Sequence, residues 1–254
     1  MKPLKILYGF TLYGLLYLPI LVLVGFSFNQ SKYSTDWTGF TFQWYVRLLE
    51  NEALLEAARN SFWVAGVSSF LSTLLGTLIA IGFYRYTFFG KRFLFSLVYT
   101  LILSPDIIMG ISLLILFIVL GIPLGFWSLT LAHITFCLPF VIVTILGRMS
   151  GFDRFIVEAA KDLGANDLST VRYLFLPMLT PAILAGFLLS FTLSLDDVMI
   201  SFFVTGPQFE ILPLKIYSMA RLGVKPEVNA LCTILLGITL LVVGCFQFLL
   251  KEEK

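Results

Sequence analysis

Three carboxylates sit where a carboxylate is costly. The stretch "LSLDDVMISF" sets Asp196 and Asp197 side by side in an apolar run. From Pro181 to Val204 the only other polar side chains are Ser190, Thr192, Ser194 and Ser201. "ILSPDIIMG" sets Asp106 in a second such run, directly after Pro105. At the centre of a bilayer an ionised acid costs about 2.5–3.5 kcal/mol on insertion scales, so acids kept there usually mark an ion pathway. Three kinds of chemistry are open to them. They can receive a cation, share a proton between neighbours, or relay protons to a base. No Lys or Arg lies mid-span, so a fixed cationic partner would have to come from another subunit. His133 is the one base within the spans; a lone His in a helix is more often a satisfied polar residue than a relay. Ser194 can add a neutral acceptor to the acids, and Trp44 offers either a cation–π face or an interfacial anchor.

The elements that must position these groups are membrane helices. The chain is 59% hydrophobic and 13% charged, with a mean hydropathy of +0.96, against about a quarter charged residues in soluble domains. The net charge of +2, without a long Lys/Arg cluster, gives no nucleic-acid signal. No phosphate-cradling G-x-x-x-x-G-K-[ST] motif is present, so a nucleotide core must come from another chain. Cys232 and Cys245 fall on one predicted helix, roughly 20 Å apart, too far to bridge; Cys137, Cys232 and Cys245 read as buried thiols.

Spans of about 20 apolar residues are expected near 6–28, 62–84, 97–120, 126–147, 183–204 and 230–250. The first has too long an apolar run for a signal peptide and reads as a retained helix. Eleven Lys/Arg flank one side (Lys2, Lys5, Arg85, Lys91, Arg92, Arg148, Arg154, Lys161, Arg172, Lys251, Lys254) and six the other (Lys32, Arg47, Arg59, Lys215, Arg221, Lys225). The richer side is expected to be cytoplasmic, with both termini. Segments 29–61 and 205–229 then face outward. In the first, Trp44, Leu48 and Leu55 have the spacing of a short interfacial helix, and "EILPLKIYSMARLG" reads similarly, ending at Gly223.

Between the fourth and fifth spans, loop 148–177 is too polar to span and too patterned for a linker. Phe155, Ile156, Ala159, Ala160 and Leu163 share one helical face. Asp153 is a candidate N-cap and Gly164 a candidate stop, with a second short helix starting at Asn166 or Asp167. Arg154 and Glu158 are spaced for an intrahelical pair. The pattern alone suits a helix that another surface approaches and a helix lying on its own bundle equally well.

Glu158-Ala159-Ala160, three residues, Gly164, nine residues, then Leu174-Phe175-Leu176-Pro177 resembles the EAA signature of bacterial ABC-importer permeases, E-A-A-x3-G-x9-I-x-L-P. The one departure is Leu174 for Ile. Nearly the whole chain, through "SFTLSLDDVMISFFVTGP" and "ILPLKIYSMARLGVKPEVNAL", is similar to PotC-type permease subunits of spermidine/putrescine importers. The resemblance implies a single all-α permease domain over 1–254, with six transmembrane helices in the type I importer (MetI-like) fold of a bacterial inner membrane. It implies that Glu158, Ala159, Ala160, Gly164 and Pro177 belong to the segment that couples to a cytoplasmic ATPase. The partners it implies are a PotB-like second permease, a PotA-like ATPase dimer and a PotD-like binding protein outside. ATP and magnesium would be held by the ATPase, leaving this chain non-catalytic and without a cofactor. Asp106, Asp196, Asp197, Ser194 and Trp44 are the candidates to meet the polyamine. A self-sufficient proton- or sodium-coupled carrier is less well matched, since no internal repeat is visible. An intramembrane enzyme lacks any H-E-x-x-H-like constellation.

Overall fold

Two of the expected spans are not continuous helices. The computed structural model describes residues 2–31, 36–153, 155–221 and 226–251. Within these the secondary structure is helical, apart from one isolated bridge between Asn29 and Phe40. The helices are α1 (Lys2–Phe26), α2 (Gln43–Glu50), α3 (Glu52–Arg85), α4 (Lys91–Leu103), α5 (Asp106–Leu120), α6 (Phe126–Met149), α7 (Phe155–Asp162), α8 (Asp167–Ser169), α9 (Leu176–Asp196), α10 (Met199–Val204), α11 (Leu212–Arg221) and α12 (Pro226–Lys251). The expected Arg154–Glu158 pair and the helix end at Gly223 fall outside the described residues, as do the side chains of Lys2, Lys5, Lys32, Lys225, Cys245, Lys251 and Lys254.

Four helical stretches are long and apolar enough to cross a membrane: Tyr8–Phe26, Glu52–Arg85, Phe126–Met149 and Asp167–Asp196. The expected third span is instead two helices, α4 and α5, bent by 113° at Ser104–Pro105. Proline has no N–H to give the ladder and forces the preceding residue out of the α region; Ser104 is accordingly extended, with φ −72° and ψ 136°. The expected fifth span stops at Asp196. Asp197 is extended, with φ −69° and ψ 123°, and the chain resumes as α10. The two acids are therefore not neighbours around one helix. α12 takes the sixth expected place, its apolar described part running Pro226–Leu241.

The chain divides into two compact units, Met1–Glu56 with Lys215–Lys254, and Ala57–Leu214. In the first, α12 packs on α1 and α2. The loop after α1 is organised by Asn29, which takes N–H bonds from Ser31 and Thr38 on its Oδ1 and donates from Nδ2 to the Asp36 carbonyl at 2.7 Å. Phe28, Phe40, Phe42 and Tyr45 stack beside it. The expected outer helix is α2, with Trp44 and Leu48 buried. Leu55 is not part of it: Asn51 ends α2 and its side chain accepts the Leu54 N–H of α3 at 3.2 Å.

The second unit holds the site. α6 is its axis, packed along α9 and against α4, α5 and α10. Lipid is as apolar as the core, so helices associate through close approach of small residues and hydrogen-bonded hydroxyls. On α3, Ser68, Ser69, Ser72, Thr73 and Thr77 are all buried; the Ser72 and Thr77 hydroxyls donate to carbonyls one turn back, each at 2.6 Å. Val141 of α6 fits between Gly76 of α3 and Gly186 of α9. A Cβ on Gly76 would lie 2.7 Å from Val141 Cγ1 and 2.9 Å from its Cβ. Gly76→Ala is therefore expected to destabilise by about 1–3 kcal/mol, the usual cost of overpacking. Gly82→Ala, where a Cβ meets nothing within 4 Å, is expected to be neutral or stabilising through helix propensity. Thermal midpoints of the two purified variants check the opposite signs.

Candidate functional site

Both broken spans carry an acid at the break. Asp106 is the first residue of α5, where its charge favours the positive end of the helix dipole. Asp196 is the last residue of α9. Both are exposed, and neither has a hydrogen bond or ion pair among the described residues. Beyond the breaks, α5 and α10 pack together. The contact is close at Gly110, where a Cβ would come 2.8 Å from the Phe203 ring and 3.2 Å from Ile200 Cα. Discontinuous membrane helices of this kind are tolerated where they line a cavity or are satisfied by neighbouring protein.

Asp197 is the opposite case. It is buried, 8% exposed. Its Oδ2 accepts the Ser201 backbone N–H at 2.8 Å and the Ser201 hydroxyl at 2.7 Å, and its Oδ1 accepts the Ile200 N–H at 3.2 Å. The carboxylate thus takes up the free N–H groups of the first turn of α10, which explains why the helix breaks here without a proline. His133 Nε2 lies 3.5 Å from Asp197 Oδ2. The expectation that the acids have no local partner is corrected for Asp197: its partner is His133, brought from α6. His133 is fully buried and bonded on both nitrogens, to the Ser194 hydroxyl at 2.6 Å and the Ser201 hydroxyl at 2.9 Å. Ser194 in turn meets Ser68 of α3 at 3.2 Å. Ser194 is therefore tied into this network, not open as an acceptor.

The structure gathers Ser194 and Asp197 into one network and leaves Asp106 and Asp196 outside it. Trp44 belongs to the other unit. It is buried, its indole N–H donates to the Asn29 carbonyl at 2.7 Å, and Arg47 covers its ring at 5.0 Å. That is the anchor arrangement; the ring face is already occupied by a cation of this chain. His133 is the satisfied polar residue expected of a lone His in a helix; its place against Asp197, and the places of Ser201 and Ser68 in the same network, no spacing announced. The one local signal was an acid followed by a short apolar run, an N-cap pattern hidden inside a longer apolar stretch.

The patterned loop folds as expected at its landmarks. Asp153 Oδ1 accepts the Phe155 N–H at 3.0 Å and starts α7. Gly164 has φ +84°. The Ala165 N–H reaches the Ala160 carbonyl at 3.0 Å and the Gly164 N–H the Lys161 carbonyl at 2.8 Å, which is the Schellman arrangement. Asn166 then caps α8 through the Ser169 N–H at 2.8 Å. From Asp167 the chain runs helically into α9, widened to π turns over Thr170–Phe175, just ahead of Pro177, whose ring has no room for the Tyr173 carbonyl in a regular α-turn. α7 has no buried residue. Val157 leans on the core cluster of Ile81, Phe175 and Leu179. Phe155 and Leu163, on the predicted apolar face, are 71% and 89% exposed; Glu158, Ala159 and Gly164 are exposed beside them. At the other end of the loop, Arg85 of α3, nearly buried, pairs with Asp167, and the Tyr86 hydroxyl donates to the same carboxylate at 3.2 Å. This ties the loop to the end of α3, an acid at a helix start meeting a base at a helix end.

An all-helical bundle with broken spans and a protruding capped loop is the build of a transport permease. Residues 72–252 match the model of the binding-protein-dependent transport system inner membrane component. The chain is 52% identical over 242 residues to the Escherichia coli spermidine/putrescine transport system permease protein PotC, covering 95% of this chain and 92% of that one. It is 49% identical to the Haemophilus influenzae protein of the same name, covering 96% and 95%, and 43% identical to the Escherichia coli putrescine transport system permease protein PotI, covering 91% and 84%. The fold is that of a crystallised bacterial ABC transporter involved in the import of the polysaccharide alginate, with a TM-score of 0.76 at 15% identity and coverage of 99% and 95%. The chain belongs to the family of binding-protein-dependent transport system inner membrane components. It is a multi-pass permease of the bacterial inner membrane with the ABC-importer fold.

Proposed function

We propose that this permease forms half of the translocation pathway of an ATP-driven polyamine importer, with spermidine and putrescine as its cargo. The names of relatives at 43–52% identity support the cargo. The observation that carries the mechanism is Asp196: an exposed carboxylate at the open end of α9, beside a neighbour whose charge is already taken. Asp106, at the matching break of the other interrupted span, is the second acceptor. A linear polycation carries ammonium groups several ångströms apart, so two separate acids suit it better than one paired site. Ser194, Asp197 and Trp44 then act as support for the pathway, not as contacts.

The exposed face of α7, with Glu158, Ala159, Ala160 and Gly164, is the surface offered to the cytoplasmic ATPase, and Pro177 begins the helix that leads from there to Asp196. ATP with its magnesium is held and hydrolysed by the PotA-like ATPase dimer. A PotB-like permease supplies the other half of the pathway, and a PotD-like protein delivers the polyamine from outside. Both termini lie in the cytoplasm. This chain contributes no cofactor and no catalytic step.

Uptake of labelled spermidine and putrescine into vesicles with the reconstituted complex tests the reading. Asp196→Asn is expected to leave assembly intact and to lower uptake at sub-saturating polyamine by tenfold or more, equivalent to about 1.4 kcal/mol or more of cation binding. Uptake is expected to stop when the ATPase is made inactive. Continued uptake without hydrolysis would mark a carrier driven by an ion gradient, and normal uptake by Asp196→Asn would remove it from the pathway.

A further inference from the structure

His133 holds α9 and α10 together across their break. Nδ1 meets the Ser194 hydroxyl, in the last turn of α9, and Nε2 meets the Ser201 hydroxyl, inside α10. Donor counting orders the chain of bonds. The Ser201 hydroxyl gives its only proton to Asp197, so it must accept from His133. With a single ring proton, that proton lies on Nε2, and Nδ1 accepts from Ser194. The Ser194 oxygen is left free to accept from Ser68 at 3.2 Å. The line Ser68, Ser194, His133, Ser201, Asp197 then has no unused donor between its ends. The one charged group facing the ring among the described residues is Asp197. Asp196 lies on the segment between the two anchor points, two residues after Ser194 and five before Ser201. Nothing else in the described residues fixes its side chain.

We propose that His133 is a positioning residue for Asp196: by clasping Ser194 and Ser201 it sets the direction in which Asp196 leaves the end of α9. The inference rests on the proposed role of Asp196 as the acceptor of the cation. Removing the ring does not remove the caps of α10, because Asp197 keeps the Ile200 and Ser201 N–H groups and the Ser201 hydroxyl. Leucine keeps the volume of the ring but leaves the buried Ser194 hydroxyl without its acceptor, a penalty that falls on stability. His133→Leu is therefore read only in complexes that assemble, beside His133→Gln and His133→Asn, which each keep one of the two bonds.

The test uses the assembled importer with Cys137, Cys232 and Cys245 replaced by Ala and Asp196→Cys as a reporter. The reagent is a trimethylammonium-ethyl thiosulfonate. Its reaction rate is expected to change at least fivefold on adding His133→Leu. It is expected to recover part of the way with His133→Gln, whose amide can reach Ser201. With Asp196 restored, His133→Leu is expected to raise KM for spermidine tenfold or more while the maximal rate per assembled complex stays within about twofold; His133→Gln is expected to lie between. Should His133→Leu not assemble, His133→Asn and His133→Gln each break one of the two bonds, and both are expected to shift the reporter rate. An unchanged reporter rate and unchanged KM in assembled variants would overturn the clasp. A shifted reporter rate in a complex that shows no polyamine dependence even in its native form would uphold the clasp and overturn the substrate reading.

Discussion

Asp197→Ala is expected to lose most of the assembled complex, in contrast to Asp196→Asn. The buried carboxylate accepts two backbone N–H groups and a hydroxyl and faces His133. Removing it orphans the Ile200 and Ser201 N–H groups and the Ser201 hydroxyl, and each buried donor left unsatisfied costs about 1–3 kcal/mol. No bulk water is at hand in a bilayer to take the place of the lost acceptor. A domain is held by only about 5–15 kcal/mol, so the loss falls on the fold before it falls on transport. The check is the thermal midpoint of the purified chain and the fraction found in the complex after extraction. Asp197→Asn, which keeps the shape and one acceptor oxygen, is expected to lie between the alanine variant and the native protein. An Asp197→Ala complex as abundant and as stable as the native one would refute the reading of Asp197 as an internal cap. The two adjacent acids then separate cleanly: one variant fails in assembly, the other in cation uptake.

Gly164→Val is expected to leave the spans in place and to abolish transport-coupled ATP hydrolysis. A Cβ at Gly164 meets nothing within 4 Å, so crowding plays no part. The cost is conformational: φ is +84°, a region open to glycine and to Asn but a genuine outlier for β-branched residues. Valine would pull the chain out of the left-handed turn. The two turn hydrogen bonds from Ala165 and Gly164 would be lost, and α7 would be re-aimed relative to α8. Gly164→Asn tolerates the same φ and is expected to keep most of the activity. Polyamine-stimulated hydrolysis in the reconstituted complex, measured against hydrolysis by the free ATPase, distinguishes the two. Stimulation by the valine variant equal to the native one would mean that the turn does not set the coupling surface.

The loop was legible in the sequence because its landmarks act over short range. Asp153 starts α7, Gly164 stops it and Asn166 starts the next turn; each satisfies backbone groups within four residues of itself. The face of α7 was also legible, but not its direction. Periodicity gave Phe155, Ile156, Ala159, Ala160 and Leu163 a common side; the structure leaves Phe155, Ala159 and Leu163 exposed and Ile156 and Ala160 half-buried, while Val157 makes the contact with the core. A pattern of apolar residues says which residues point together, not whether the core or a partner lies in front of them. Pro105 was visible beside Asp106; that it divides a span into helices bent by 113° was not, because the angle is set by what α5 packs against.

By itself the sequence determined a helical membrane protein, the capped loop between α6 and α9, and the presence of three acids within apolar stretches. Those follow from composition, from hydrophobic length and from local hydrogen bonding. Only the tertiary structure decided how each acid is held. His133 and Asp197 are 64 positions apart in the chain, and no spacing rule relates them. They meet because α6 packs along α9 and against α10. That packing buries Asp197 on His133, and with α9 ending at Asp196, well short of the expected span, it leaves Asp196 alone at the open end.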